Sequence, residues 1–157
     1  MKKMIIAGGS GFLGQNLASH FKDRFDEIVI LSRKASAVKE GFNVRFVHWD
    51  GSSQGEWSKE LNGAEVLINL TGKSVNCRYS KKNQEEILFS RLNAIAALTI
   101  ALRNAVNKPK VWINAASATI YRHAEDKDMT ETVGEIGEGF SVNVCNAWEK
   151  ALFDTQI

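Results

Sequence analysis

The 157 residues are 44% hydrophobic and 24% charged, the make-up of one globular domain that buries a core without disulfide or metal staples. A net charge of +2, with basic residues interleaved among acidic ones, gives no electrostatic footprint for nucleic acid. Cys77 and Cys145 lie far apart with no ligand-spaced partners, and no apolar run reaches membrane-spanning length, so reduced thiols, no metal site, no membrane contact and a cytoplasmic location are expected.

Residues 4–7 form a short β-branched apolar run, a first strand, which breaks into "AGGSGFLG". Leu13, Leu17, Phe21 and Phe25 then recur every fourth residue, predicting a helix with these four on one face. Further strands are predicted at 28–31, 44–47, 66–70 and 111–115. Between the last two, residues 82–106 carry apolar side chains at helical spacing and run up to Pro109, where a helix must stop. A final helix is predicted over 142–153. Strands alternating with helices predict an α/β fold, a Rossmann-type doubly wound parallel sheet with helices on both faces. His20, His48 and His123 fall in separate segments and read as structural or surface residues.

The glycines at 9, 11 and 14 satisfy G-x-G-x-x-G, and those at 8, 11 and 14 satisfy G-x-x-G-x-x-G, after a strand and at the opening of a helix. Glycine permits the tight turn and lets backbone approach a pyrophosphate, and the helix N-terminus offers it free N–H groups. Gly8, Gly9, Ser10, Gly11, Phe12, Leu13 and Gly14 are therefore expected to hold a dinucleotide. At the end of the second strand stand Arg33 and Lys34 in place of an acidic residue, which favours the 2′-phosphate of NADP over NAD unless the pair is simply a solvated loop. Asp50, after the third strand, reads equally as an acceptor for the adenine amino group and as a turn residue.

Taken together, "GGSGFLG", "LSRK", "NLTGKSV", "SRLNA", "SATIY" and "CNAWEKA" resemble the short-chain dehydrogenase/reductase superfamily in its extended, epimerase-type branch, and within it the atypical NAD-dependent epimerase/dehydratase-like subgroup. The resemblance implies that Leu70, Thr71 and Gly72 line the cofactor, that Ala115 and Ala116 face its nicotinamide, and that Ser117 is the serine that hydrogen-bonds a substrate oxygen. The Tyr-x-x-x-Lys pair of that family is absent: alignment on the helix glutamate puts Ser141 and Cys145 in its place. Tyr121 and Arg91 are candidate replacements, with packing and surface roles equally open to them.

The same resemblance makes the chain an N-terminal portion that lacks the last strands and the substrate region, and likens the 82–106 helix to a homodimer element, though packing on the sheet explains its apolar positions equally well. It leaves two expectations for function. One is NADP-dependent hydride transfer on a small carbonyl or nucleotide-sugar-like substrate; the other is a non-catalytic dinucleotide sensor or scaffold, favoured by the missing pair.

Overall fold

The computed structural model describes residues 1–34, 41 and 43–157. Five strands, β1 (Lys3–Ala7), β2 (Glu27–Ser32), β3 (Val44–His48), β4 (Val66–Asn69) and β5 (Val111–Asn114), pair in parallel in the order β3-β2-β1-β4-β5. The order reverses between β1 and β4, and in open α/β sheets the ligand crevice opens at the carboxyl ends of the strands at such a point.

Side chains alternate across β1 and thereby build two cores. Met4 and Ile6 join Ile28, Ile30 and Ile68 beneath helix α1 (Phe12–Phe21), which contributes Ala18, Leu17 and Phe21. Ile5 and Ala7 join Val29, Leu31 and Leu67 on the other face, beneath Ala94, Ala97, Leu98, Ala101 and Leu102 of helix α2 (Lys81–Asn104). Burial on both faces is why these strands read as continuous apolar runs. Helix α3 (Phe140–Phe153) packs against α2.

Four sequence expectations are corrected. Leu13 is not on the buried face of α1: it is 62% exposed, and Phe25 lies past the helix end with its ring edge-on to Phe21. Residues four apart drift by about 40° per step, so the buried stripe rolls through Gly14, Leu17, Ala18 and Phe21 instead. β4 and β5 end one residue early, at Asn69 and Asn114. The Asn69 side chain is fully buried; its Nδ2 donates to Asn114 Oδ1 at 2.7 Å, and its Oδ1 accepts the Thr71 N–H at 3.0 Å. Asn114 Nδ2 in turn donates to the Ala115 carbonyl, so the two amides turn both chains out of the sheet together.

Helix α2 stops at Asn104, short of residue 106, because Asn107 is tied to the neighbouring loop, donating its N–H to Asn62 Oδ1 and accepting the Gly63 N–H. Two 3-10 segments, Glu56–Leu61 and Ala118–Ile120, are too short to leave a periodic signal; Tyr121 caps the second. Next to the first, the Trp49 and Trp57 indoles both donate to the Ser53 carbonyl, with ring centres 4.7 Å apart. Among the described residues no helix is long and apolar enough to cross a membrane, and no group of three His, Cys, Asp or Glu is placed to hold a metal.

Candidate functional site

A cleft of about 820 Å³ opens over the carboxyl ends of β1, β2 and β4. Its floor is the glycine turn. Gly8 adopts φ +73°, donates its N–H to the Leu31 carbonyl, and lies so close to the β4 loop that a Cβ would sit 2.9 Å from Thr71 Cα. At Gly14 a Cβ would stand 2.3 Å from Gly9 Cα, which sets how closely α1 approaches the turn. Gly11 is the opposite case: nothing lies within 4 Å of where its Cβ would be. It is also the N-cap of α1, where no side chain caps the helix, so the positive end of the helix dipole begins at the cleft floor.

Of the predicted cofactor residues, Gly8, Ser10, Gly11, Arg33, Asp50, Leu70, Thr71 and Gly72 line this one cleft. Gly9 and Gly14 lie behind it as packing partners, Phe12 and Leu13 are exposed on the first turn of α1, and Lys34 is exposed just beyond Arg33. Ala115 and Ala116 follow β5 at the same end of the sheet, outside the cleft wall; the Ala115 N–H is held by the Asn69 carbonyl.

Arg33 has no ion-pair or hydrogen-bond partner among the described residues, which leaves its guanidinium fork available. Asp50 is committed locally: its Oδ1 accepts the N–H groups of Ser52 and Ser53, both at 2.8 Å. Those backbone donors hold its carboxyl down at about 2, below the ordinary 3.8. A depressed folded-state pKa contributes stability above the unfolded value and loses it as pH falls towards the folded one. Asp50→Asn is therefore expected to be less stable than wild type above pH 4, by less than about 1 kcal/mol after solvent screening, with the gap closing by about pH 2. Urea titrations across that range check it; a gap that stays constant would assign the effect to something other than charge.

The β4–α2 loop forms the far wall. The Lys73 N–H donates to Ser90 Oγ, and its ammonium is held by Asn83 Oδ1 and the Glu86 carboxylate, whose pKa it lowers. The Thr71 hydroxyl oxygen is buried with no hydrogen-bond partner among the described residues. Arg91 lies behind this loop. Its Nη1 donates to the Ile87 and Lys73 carbonyls at 2.8 and 3.2 Å, and its guanidinium stacks over the Trp148 ring at 4.9 Å. A Cβ at Gly72 would come within 3.0 Å of Arg91 Cζ, and burial pushes the guanidinium pKa below its ordinary value. Arg91 thus braces the cleft loop against α3.

The remaining candidates gather at the 3-10 turn after β5. Ser117 is its N-cap, with Oγ accepting the Thr119 N–H at 3.3 Å and standing 2.9 Å from Thr119 Oγ1. Thr119 Oγ1 lies 3.5 Å from Cys145 Sγ on α3, and Cys145 is 4% exposed. Thr119 and Tyr121 line a second cavity of about 650 Å³, together with Tyr79, Phe140 and Ser141. Tyr121 also bridges to Ile136, and Arg122 closes that wall through ion pairs to Asp126 and Glu135. Asn69, Asn114 and Thr119 escape a sequence reading; the one signal was an asparagine closing each of two apolar runs.

The NAD dependent epimerase/dehydratase family model matches residues 4–139. Epimerase family protein YfhF of Bacillus subtilis (strain 168) is 33% identical over 147 residues, covering 92% of this chain and 47% of that protein. The structure of human epimerase family protein SDR39U1 (isoform2) with NADPH superposes with a TM-score of 0.76 at 26% identity, covering 96% of this chain and 48% of the other. MoeE5 in complex with UDP-glucose and NAD gives 0.73 at 17% identity, over 98% of this chain and 48% of the other, a likeness of fold. The chain spans about half the length of these proteins. With the strand order, the glycine turn and the family match over residues 4–139 in agreement, the chain belongs to the NAD dependent epimerase/dehydratase family.

Proposed function

We propose that the chain binds a nicotinamide dinucleotide, NADP(H) in preference to NAD(H), and serves hydride transfer on a small carbonyl or nucleotide-sugar-like substrate. The observation that carries this is the uncapped α1 N-terminus opening at Gly11 onto a cleft whose rim holds Arg33, unpaired among the described residues. The first-turn amides of α1 take the pyrophosphate and Arg33 takes the 2′-phosphate, with Thr71 lining the cleft at the switch point. Asp50, on the cleft wall, would accept from the adenine amino group. Ala115 and Ala116 flank the nicotinamide end, and the bound nicotinamide supplies the hydride acceptor or donor.

Ser117 binds the substrate oxygen. The phenol of Tyr121 has no hydrogen-bond partner among the described residues and lines the adjoining cavity, so it is the group on this chain best placed to pass a proton. Arg91, bonded to two carbonyls and stacked on Trp148, is assigned to bracing rather than proton transfer. Support for the NADP preference comes from Arg33 and from the NADPH in the human relative. One observation favours a second reading, a dinucleotide sensor without turnover: Ser141 and Cys145 occupy α3 where the Tyr-x-x-x-Lys pair is expected.

Thermal unfolding with NADPH, NADP, NADH and NAD tests the reading. A ligand at a hundred times its Kd stabilises the folded state by about 2.7 kcal/mol. NADP(H) is expected to raise the midpoint more than NAD(H), and Arg33→Ala to weaken NADP(H) by roughly 10- to 100-fold, the loss of a charge-assisted contact, while leaving NAD(H) unchanged. Absence of any shift overturns dinucleotide binding; equal shifts for the two cofactors overturn the preference. Turnover of NADPH with a carbonyl substrate separates enzyme from sensor.

A further inference from the structure

The Ser117 side-chain oxygen makes two polar contacts with one neighbour. It accepts the Thr119 backbone N–H at 3.3 Å and stands 2.9 Å from the Thr119 hydroxyl oxygen. A serine oxygen has two lone pairs, so if the Thr119 hydroxyl donates, both are filled and only the Ser117 proton remains to act outward. What decides the direction of the Thr119 hydroxyl is its other neighbour. Cys145 Sγ, buried on α3, lies 3.5 Å from Thr119 Oγ1 and 4.0 Å from the Ser117 carbonyl oxygen, and a thiol has one proton to give. The shorter contact favours S–H to Thr119, which turns the Thr119 proton towards Ser117.

We infer that Thr119 and Cys145 are positioning residues that orient the Ser117 hydroxyl as a donor through the chain Cys145 S–H to Thr119 O–H to Ser117 O–H. Hydrogen bonds in series polarise one another, so the thiol strengthens the last donor without touching substrate. A Ser117 fixed in this sense offers a proton to a carbonyl or alkoxide oxygen and has no acceptor left for an alcohol proton. The substrate is therefore bound through a carbonyl oxygen. This rests on the hydride-transfer reading above and adds the polarity of the serine and the two residues that set it. It also gives Cys145 a task at the position where a lysine is missing.

The S–H stretching band of the full chain carrying Cys77→Ser belongs to Cys145 alone, because the protein has two cysteines. The expected band lies at lower frequency than that of a free thiol and moves up in Thr119→Val, while Thr119→Ser restores the wild-type position. Ser117→Ala, which leaves the Ser117 carbonyl in place, is also expected to move the band, because it removes the acceptor at the far end of the chain. An unmoved band in Thr119→Val assigns the S–H to the Ser117 carbonyl and overturns the chain; an unmoved band in Ser117→Ala removes Ser117 from it and does the same. Near-UV circular dichroism confirms that each variant is folded, and Thr119→Ala replaces Thr119→Val if the latter is not. The band is read without cofactor, so its failure is distinct from a failure to bind dinucleotide.

Discussion

Gly14→Ala is expected to cost about 3 kcal/mol or more, lowering the urea midpoint at unchanged slope and the Tm by roughly 6–12 °C. The added Cβ would stand 2.3 Å from Gly9 Cα and from the Gly9 carbonyl oxygen, and all the neighbours it meets are backbone, which has no rotamer to escape into. Relief requires α1 to lift from the turn, carrying with it Ala18, Leu17 and Phe21, which cover one face of the sheet. Gly11→Ala is the matched control. With nothing within 4 Å of its Cβ, it should leave the urea midpoint within about 0.5 kcal/mol of wild type, yet it places a methyl group on the open floor of the cleft and should weaken NADPH by tenfold or more. The pair separates a glycine needed for packing from one needed for access. If Gly14→Ala unfolds within 1 kcal/mol of wild type, the close approach of α1 to the turn is wrong.

The second large effect is expected at the buried amide pair. Asn69→Leu keeps the branched shape, with added bulk, but strips Asn114 Oδ1 and the Thr71 N–H of their partners, at a cost of about 2–4 kcal/mol for polar groups left unsatisfied inside the sheet. Replacing both partners of a buried hydrogen bond costs far less than replacing one. Asn69→Leu/Asn114→Leu is thus expected to be clearly more stable than the sum of the two single changes, with a coupling of 1 kcal/mol or more from the denaturation midpoints. Strict additivity would mean that the two amides do not act as a unit.

The topology was legible because parallel strands covered on both faces must read as short β-branched runs, and because the glycine turn announces where the first of them ends. Residues 28–31 and 44–47 needed no more than that, and the structure extends each by a residue or two. What failed to show in the sequence depends on geometry between elements. Leu13 fits the every-fourth-residue pattern of its neighbours, but the helix is rotated by a contact between two glycines that have no side chains to signal it. Asn69 and Asn114 are 45 positions apart and gain their meaning only when β4 and β5 lie side by side. Arg91 carries the charge of a catalytic residue, and only the positions of Ile87, Lys73 and Trp148 reveal that its Nη1 is bonded to two carbonyls and its guanidinium face stacked on a ring. Thr119 looks like filler in "SATIY" until α3 brings a thiol beside it.

The paired indoles beside the third strand make the molecule its own optical instrument. Trp49 lines the cleft at the end where adenine is expected, and its ring lies 4.7 Å from that of Trp57, with both anchored on one carbonyl. Two aromatic chromophores held this close at a fixed tilt share their excitation. Their coupled circular dichroism therefore reports on the geometry of residues 49–57, and their emission does so once Trp112 and Trp148, the other two tryptophans, are replaced by phenylalanine. Trp49 is only 2% exposed, so a nucleotide base settling at that end of the cleft changes the signal by shifting the 50–53 turn that anchors both indoles, while a ligand seated only at the glycine turn leaves it alone. Arrival at the adenine end of the cleft can thus be followed by itself, without an attached dye.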